Sequence, residues 1–316
     1  MLRFSRCCAA QNDVSVTSLR AKRGNLIIKT IMKKIGIIGL GLIGGSMAID
    51  LKRKGFASQI LGVEADPVNA AAAEKIGLVD RVVGMDECID QSDVIIVSVP
   101  VDAAAKVLPK VLDRFEQTDA KDKLVMDVCS TKEHLSQTVK YHARRKMYVA
   151  SHPMSGTEYS GPWAALSGLF EGRACIICDR DESDRKAVRI VEDLYTALNM
   201  RILYMNSSNH DVHTAYVSHV SHVTSFALAL TVLDKEKDEK HIFDLASGGF
   251  SSTVRLAKSG ASMWTPILMQ NRDNVLHVMD TYIEKMQAFR EALAADDEDA
   301  VRGLIEEANK IRRIIR

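Results

Sequence analysis

The feature that most constrains this chain is a glycine-spaced turn, Gly39-Leu40-Gly41-Leu42-Ile43-Gly44, set between the apolar run Lys34–Ile38 and the helical pattern Ile43–Lys54. A strand–turn–helix unit gives each glycine a task. Gly39 permits the tight turn, Gly41 lets the backbone approach a diphosphate, and Gly44 lets the helix lie close on the strand. The helix N-terminus then offers free amides to the phosphates. The next apolar run, Gln59–Glu64, ends in an acid, and no Arg or Lys follows before Lys75. A carboxylate there accepts hydrogen bonds from ribose hydroxyls and repels a 2′-phosphate, so NAD is expected over NADP. An FAD site, or a glycine turn with no nucleotide, are the competing readings.

The rest of the pattern supports a full domain around this turn. Apolar runs at Val94–Val99, Leu124–Asp127, Met147–Ser151, Ala174–Ile177 and Ile202–Tyr204 alternate with helical patterns at Val68–Ile76, Ala103–Phe115, Lys132–Tyr141 and Arg185–Ala197. Such alternation implies crossovers and a largely parallel sheet, an α/β fold of Rossmann-like type. After about Met205 the strand signals stop. Helical patterns at His213–Leu233, around Phe243–Leu245, at Thr265–Arg290 and at Asp297–Ile315 predict an all-helical second domain. The expected division is a leader over 1–31, a dinucleotide domain over 32–206 and a helical domain over 207–316. No apolar run is read as long enough to span a bilayer.

Charge narrows the partners. The net charge of +1 gives no basic surplus of the kind nucleic-acid binders carry. The surplus that exists is local: Arg3, Arg6, Arg20, Lys22, Arg23 and Lys29 face only Asp13 in the leader. That composition fits an organelle transit segment. The plainer reading is an extension ahead of Met32, with the enzyme in the cytoplasm. Cys175 and Cys178 form a CxxC pair, but they sit three apart on a predicted strand and so point to opposite faces. No disulfide framework is expected.

Ligands of open parallel sheets bind beyond the strand C-termini, so polar residues there are site candidates. Ser98 and Pro100 follow one strand, and Ser130 and Thr131 follow the next, where they also suit a helix cap. His152 closes a third, in Ser151-His152-Pro153. The helical region adds His210-Asp211, His213, Ser218-His219 and His222, with Arg255 beyond. His219 and His222 are spaced to share a helix face. No cysteine or closely spaced acid completes a zinc pattern around these histidines, so no metal is expected.

Taken in order, these motifs resemble the prephenate/arogenate dehydrogenases of tyrosine biosynthesis, from about Lys33 to Asp280. The stretches that carry the resemblance are Gly39–Ser46, Asp127–Lys132, His152–Gly156 and His210–His222, with Arg255 and Trp264. The resemblance implies a nucleotide domain joined to a helical dimerisation domain, and a homodimer that binds neither nucleic acid nor membrane. It implies NAD-dependent oxidative decarboxylation of prephenate to 4-hydroxyphenylpyruvate, or of arogenate to tyrosine. His152 would accept the proton of the ring hydroxyl, with Ser130, or alternatively Thr131, holding the hydroxyl or the histidine. Arg255 would bind a substrate carboxylate. His222 and Ser218 would add polar contacts, Glu158 and Asp211 would position neighbours or gate the pocket, and Trp264 would arrive from the partner subunit.

Two departures stand out. Val220-Ser221 replaces a Leu-Pro common in relatives, which predicts a straighter helix. Cys129 replaces a common glycine and either crowds the nicotinamide or faces the core. A β-hydroxyacid dehydrogenase would use a lysine in the long helix, but Val212–Leu230 contains none. A non-catalytic NAD-binding protein would have no use for His152, Ser130 and Arg255 together.

Overall fold

The computed structural model describes residues 32–236 and 247–314, so the leader and the helix expected around Phe243–Leu245 lie outside the described residues. The described chain begins with β1 (Lys33–Ile38), α1 (Leu42–Arg53), β2 (Ala57–Val63), α2 (Pro67–Lys75), β3 (Arg81–Val82), α3 (Met85–Gln91) and β4 (Val94–Val97). It continues through α4 (Val101–Gln117), β5 (Leu124–Asp127), α5 (Glu133–Thr138), β6 (Tyr148–Pro153), β7 (Ala174–Cys178), α6 (Arg185–Ala197) and β8 (Arg201–Met205). One sheet of order β3-β2-β1-β4-β5-β6-β7-β8 results. β1 to β6 pair in parallel, β7 runs antiparallel to β6, and β8 is parallel to β7.

Strand alternation divides the core into two layers. Ile35, Ile37, Ile96 and Met126 face Met47 and Leu51 of α1 and Val191 and Leu194 of α6. Ile95, Val97, Val125 and Tyr148 face Leu108, Leu112 and Phe115 of α4. Cys175 belongs to the first layer and Cys178 to the second, the opposed orientation expected of strand residues three apart. Cys129 packs in the α4 layer, with Sγ 3.7 Å from the Val99 carbonyl. The core-facing alternative for this cysteine is the one observed.

Sequence signals failed in identifiable places. β3 is only two residues long, and α3 ends at Gln91 without a strong apolar stripe, so both were absent from the expectations. The region read as one helix over Thr265–Arg290 is two, α10 (Ala261–Gln270) and α11 (Arg272–Ala294), separated at Asn271. The long helix begins earlier than expected. α7 (Ser207–Thr214) leads through a π-turn at Ala215–His219 into α8 (Val220–Glu236). The π-turn directly precedes Val220-Ser221, so the helix is not regular α throughout at the place where a straighter helix was expected. From Ser207 to Lys235 this helix is long and apolar enough, by length and composition alone, to cross a membrane, which the sequence reading did not anticipate. The helical region also holds α9 (Gly248–Val254), a 3-10 turn at Arg255–Lys258 and α12 (Glu298–Asn309).

A fully buried ion pair fixes the C-terminal edge of the sheet. Lys132 Nζ donates to Asp127 Oδ2 and to the Ser151 carbonyl. Asp127 also accepts from the Tyr148 hydroxyl at 2.8 Å and from the amides of Cys129 and Ser151. The Ser151 hydroxyl donates to the Asp127 carbonyl at 2.6 Å and meets the Tyr195 hydroxyl at 2.7 Å. Burial alone would depress the Lys132 ammonium, but Asp127 beside it holds its pKa above the ordinary value.

Removing one member of such a pair strands a buried charge. Lys132→Met is expected to lower unfolding free energy by about 3–5 kcal/mol in urea titration. Adding Asp127→Asn to it should cost less than the two single changes summed.

Candidate active site

The glycine turn and the β4 terminus form the first wall of the site. Strand order reverses between β1 and β4, the position where an open sheet leaves a ligand crevice. Gly39 has φ +98°, and a Cβ there would lie 2.3 Å from the Ser98 carbonyl oxygen. A Cβ on Gly44 would lie 2.1 Å from the Gly39 carbonyl. Both glycines are therefore demanded by the fold itself. Gly41 is different. Its φ of −76° and ψ of −158° suit any residue, and a Cβ would meet nothing within 4 Å. Gly41 is the N-cap of α1, with no side-chain cap and no acid in the first turn. An uncapped, unobstructed helix N-terminus is what a diphosphate needs.

The remaining cradle residues differ in how they could take part. Leu40 buries its side chain, whereas Leu42 and Ile43 are half-buried at the helix start. Glu64 lies just past β2, where Oε2 accepts from the Leu40 amide at 3.0 Å and Oε1 from the Ala65 amide at 3.0 Å. That fixes the carboxylate beside the turn. Ser98 is half-buried and donates its amide to Ile38, while Pro100 is exposed at the start of α4.

His152 projects from the C-terminal end of β6, on the same sheet edge as Gly39 and Ser98. Its Nδ1 lies 2.9 Å from Nε2 of His210, whose Nδ1 lies 2.7 Å from Asp211 Oδ1. Asp211 also accepts from the amides of Lys132 at 2.8 Å and Glu133 at 2.9 Å, so one carboxylate caps α5 and holds His210. Nε2 of His152 has no hydrogen bond among the described residues, nor is it one of the enclosed unpartnered atoms. It is left available to a further hydrogen-bond partner. Burial, followed by His210, Lys132 and His219, pushes the His152 pKa well below 6.5. A neutral imidazole able to accept a proton follows.

The opposite wall comes from the helices. His222 donates from Nδ1 to the Ser218 carbonyl, 3.0 Å away, and stacks on Trp264 with centroids 3.4 Å apart. The resemblance implied that Trp264 arrives from a partner subunit; in this chain it stands beside its own His222. α10 packs on α4 of the same chain, and the indole joins that buried layer beside its own His222. The buried indole Nε1 has no partner among the described residues. His219 is buried against Trp264, 3.1 Å from Asn271 Nδ2, and burial lowers its pKa to about 4. Asn271 also donates to the Asp211 carbonyl at 2.7 Å. Arg255 pairs with Glu158 at 3.2 Å, at the rim. The Glu158 carboxyl is held below its usual range by its own backbone amide and by Arg255.

Several residues stand elsewhere in the network than expected. Ser130 is half-buried and makes no side-chain hydrogen bond among the described residues; His210, not Ser130, holds His152. Thr131 bonds Gln270 at 2.8 Å. Asp211 is enclosed, with both oxygens occupied, so it acts on its neighbours rather than on a ligand. The sequence reading noted His210 but gave it no role, and it overlooked Asn271. The signal for His210 was its place next to an acid, early in a helix that returns to the sheet edge.

Comparisons with known proteins point to one family. Residues 47–204 match the family model for the prephenate dehydrogenase nucleotide-binding domain, and residues 206–307 match that for the prephenate dehydrogenase dimerization domain. The chain is 29% identical to a prephenate dehydrogenase of Lactococcus lactis over 89% of its own length and 77% of that protein. It is 28% identical to a cyclohexadienyl dehydrogenase of Zymomonas mobilis, over 90% and 96% of the two chains. The crystal structure of prephenate dehydrogenase from A. aeolicus in complex with hydroxyphenyl propionate and NAD+ is similar at a TM-score of 0.78 and 26% identity, covering 90% of this chain and 99% of that one.

The open space at Gly41 supplies a test that spares the fold. Gly41→Val should change the melting temperature little, because a Cβ there meets no protein atom within 4 Å. It should abolish NADH binding in a fluorescence titration. Retained binding would remove the diphosphate from α1.

Proposed function

The chain belongs to the prephenate dehydrogenase family, and from that premise we propose that it oxidatively decarboxylates prephenate to 4-hydroxyphenylpyruvate, with NAD as its cofactor. The observation that carries this reading is the free Nε2 of a neutral His152 on the sheet edge that also holds the nucleotide cradle. Bound NAD+ supplies a hydride acceptor. The protein's own task is to orient the substrate ring and to hold a proton.

His152 Nε2 accepts the proton of the C4 hydroxyl as the C4 hydrogen departs as hydride. The ring carboxylate then leaves as CO2, which restores aromaticity. Arg255 takes a substrate carboxylate, exchanging its contact with Glu158 for it. His222 and Trp264 flank the ring, and the buried indole N–H of Trp264 is a donor in want of an acceptor. Glu64 takes the adenosine ribose. The homodimer forms through the helical region, a reading supported by the dimerization-domain match and by exposed Val217, Leu276, Ile283 and Met286.

Arogenate differs from prephenate by an ammonium in place of the side-chain keto group, so both belong in the decisive assay. With NAD+, prephenate is expected to give the larger kcat/KM, and NADP+ the smaller rate with either substrate. A larger value with arogenate would reverse the substrate assignment, and no NADH with either would refute the reaction. Two substitutions test the roles. His152→Asn should lower kcat by about 10²- to 10⁴-fold, the usual span for a lost general base. Arg255→Ala should chiefly raise KM for the substrate, and an unchanged KM would count against its carboxylate contact.

A further inference from the structure

We infer that His210 and Asp211 form a relay behind His152, which fixes the protonation pattern of His152 and takes up the charge it gains during the reaction proposed above. The inference rests on that reaction for its chemistry, but its geometry stands alone. Every hydrogen bond at the Asp211 carboxylate is one that it accepts: from the amides of Lys132 and Glu133 and from His210 Nδ1. His210 therefore carries its proton on Nδ1, which leaves Nε2 as an acceptor. His152 Nδ1, 2.9 Å away, must be the donor. The free Nε2 of His152 is thus a lone pair by elimination, the form a base needs.

The same chain can move charge. When the C4 hydroxyl proton reaches Nε2 of His152, the Nδ1 proton of His152 crosses to Nε2 of His210. His210 becomes an imidazolium held by Asp211, and His152 stays neutral. The C4 hydrogen leaves as hydride to NAD+. The ring carboxylate departs as CO2, and its bonding pair enters the ring to give a phenolate. The phenolate takes the Nε2 proton of His152, and His210 returns its proton to Nδ1 of His152. One hydride is transferred, one CO2 is released, and the protein ends as it began.

Enclosure makes this a reversible store rather than a leak. His210 is 0% exposed, with one nitrogen on Asp211 and the other on His152, so its added proton has only His152 to return to. The groups facing the pair divide by sign. Asp211 and Asp127 favour the charge. Lys132 and His219 oppose it, and the buried thiols of Cys129 and Cys178 stay neutral. Burial depresses both imidazoles, but Asp211 pulls only His210 back up, so His210 is the better resting place.

The test separates positioning from proton uptake. His210→Gln keeps an acceptor for His152 Nδ1 and a donor for Asp211, yet cannot be protonated. In the full-length enzyme it should lower kcat by about 10²-fold, at the low end of the general-base range. It should leave KM for NAD+ unchanged and move the acid limb of the kcat/KM profile to lower pH, because the more basic member of the pair is gone. A fall in kcat with an unmoved limb, or no fall at all, would overturn the relay. Independently of any substrate, ¹⁵N NMR of histidine-labelled wild-type protein should find His152 and His210 both protonated on Nδ1 at neutral pH. A proton on Nε2 of His152 would overturn the assignment. If neither prephenate nor arogenate is turned over, the proposed reaction fails while the NMR result still decides the tautomers.

Discussion

The site depends on a buried charge pair, Lys132 with Asp127, that no solvent reaches. Asp127 closes β5, and its side chain gathers Tyr148, Ser151, Cys129 and Lys132 into one knot. The knot ties the ends of β5 and β6 at the point where His152 leaves the sheet. An ion pair of this kind adds little net stability compared with apolar packing, because desolvation offsets attraction. Its value here is directional. It sets where the β6 terminus stops and how the loop from Cys129 to Lys132 turns toward the helices.

Burial then sets the chemistry. His152, His210, His219 and His222 all have pKa values below the ordinary 6.5, with desolvation the leading cause in each. All four bind protons less readily folded than unfolded. Their contribution to stability is present above about pH 6.5 and is lost as pH falls below it, since the unfolded chain then takes up protons that the folded one refuses. The burial that keeps these imidazoles neutral is also what makes the fold acid-sensitive.

What the sequence revealed follows from the range of each signal. The turn from Gly39 to Gly44, the strand alternation and the acid at Glu64 are local patterns, and each appeared in the structure within a few residues of its expected place. His152 was found because a histidine at a strand end is conspicuous. The partner of His152 was not, because His210 lies far along the chain on another element, and only packing brings its ring to 2.9 Å. Ser130, the nearer polar residue, attracted the assignment instead. The π-turn at Ala215–His219 was illegible for a related reason: nothing in Ala215-Tyr216-Val217-Ser218-His219 distinguishes it from a regular helix. Trp264 could be placed in the site but not assigned to a chain, since sequence carries no information on whose histidine it will stack upon.

Asp211 has a consequence beyond orienting one ring. The carboxylate that holds His210 also caps α5, so it belongs to the helical layer and to the sheet edge at once. A helix N-terminus and an imidazole compete for nothing here; they share one anion. Docking of the two layers and readiness of the base are then a single event. Separating α7 from the sheet edge would expose the first amides of α5 and withdraw His210 from His152 in the same motion. The position of the His152 ring is therefore tied to the packing of α7 against the sheet, whereas the Gly39–Gly44 turn, held by β1, β4 and α1, is not.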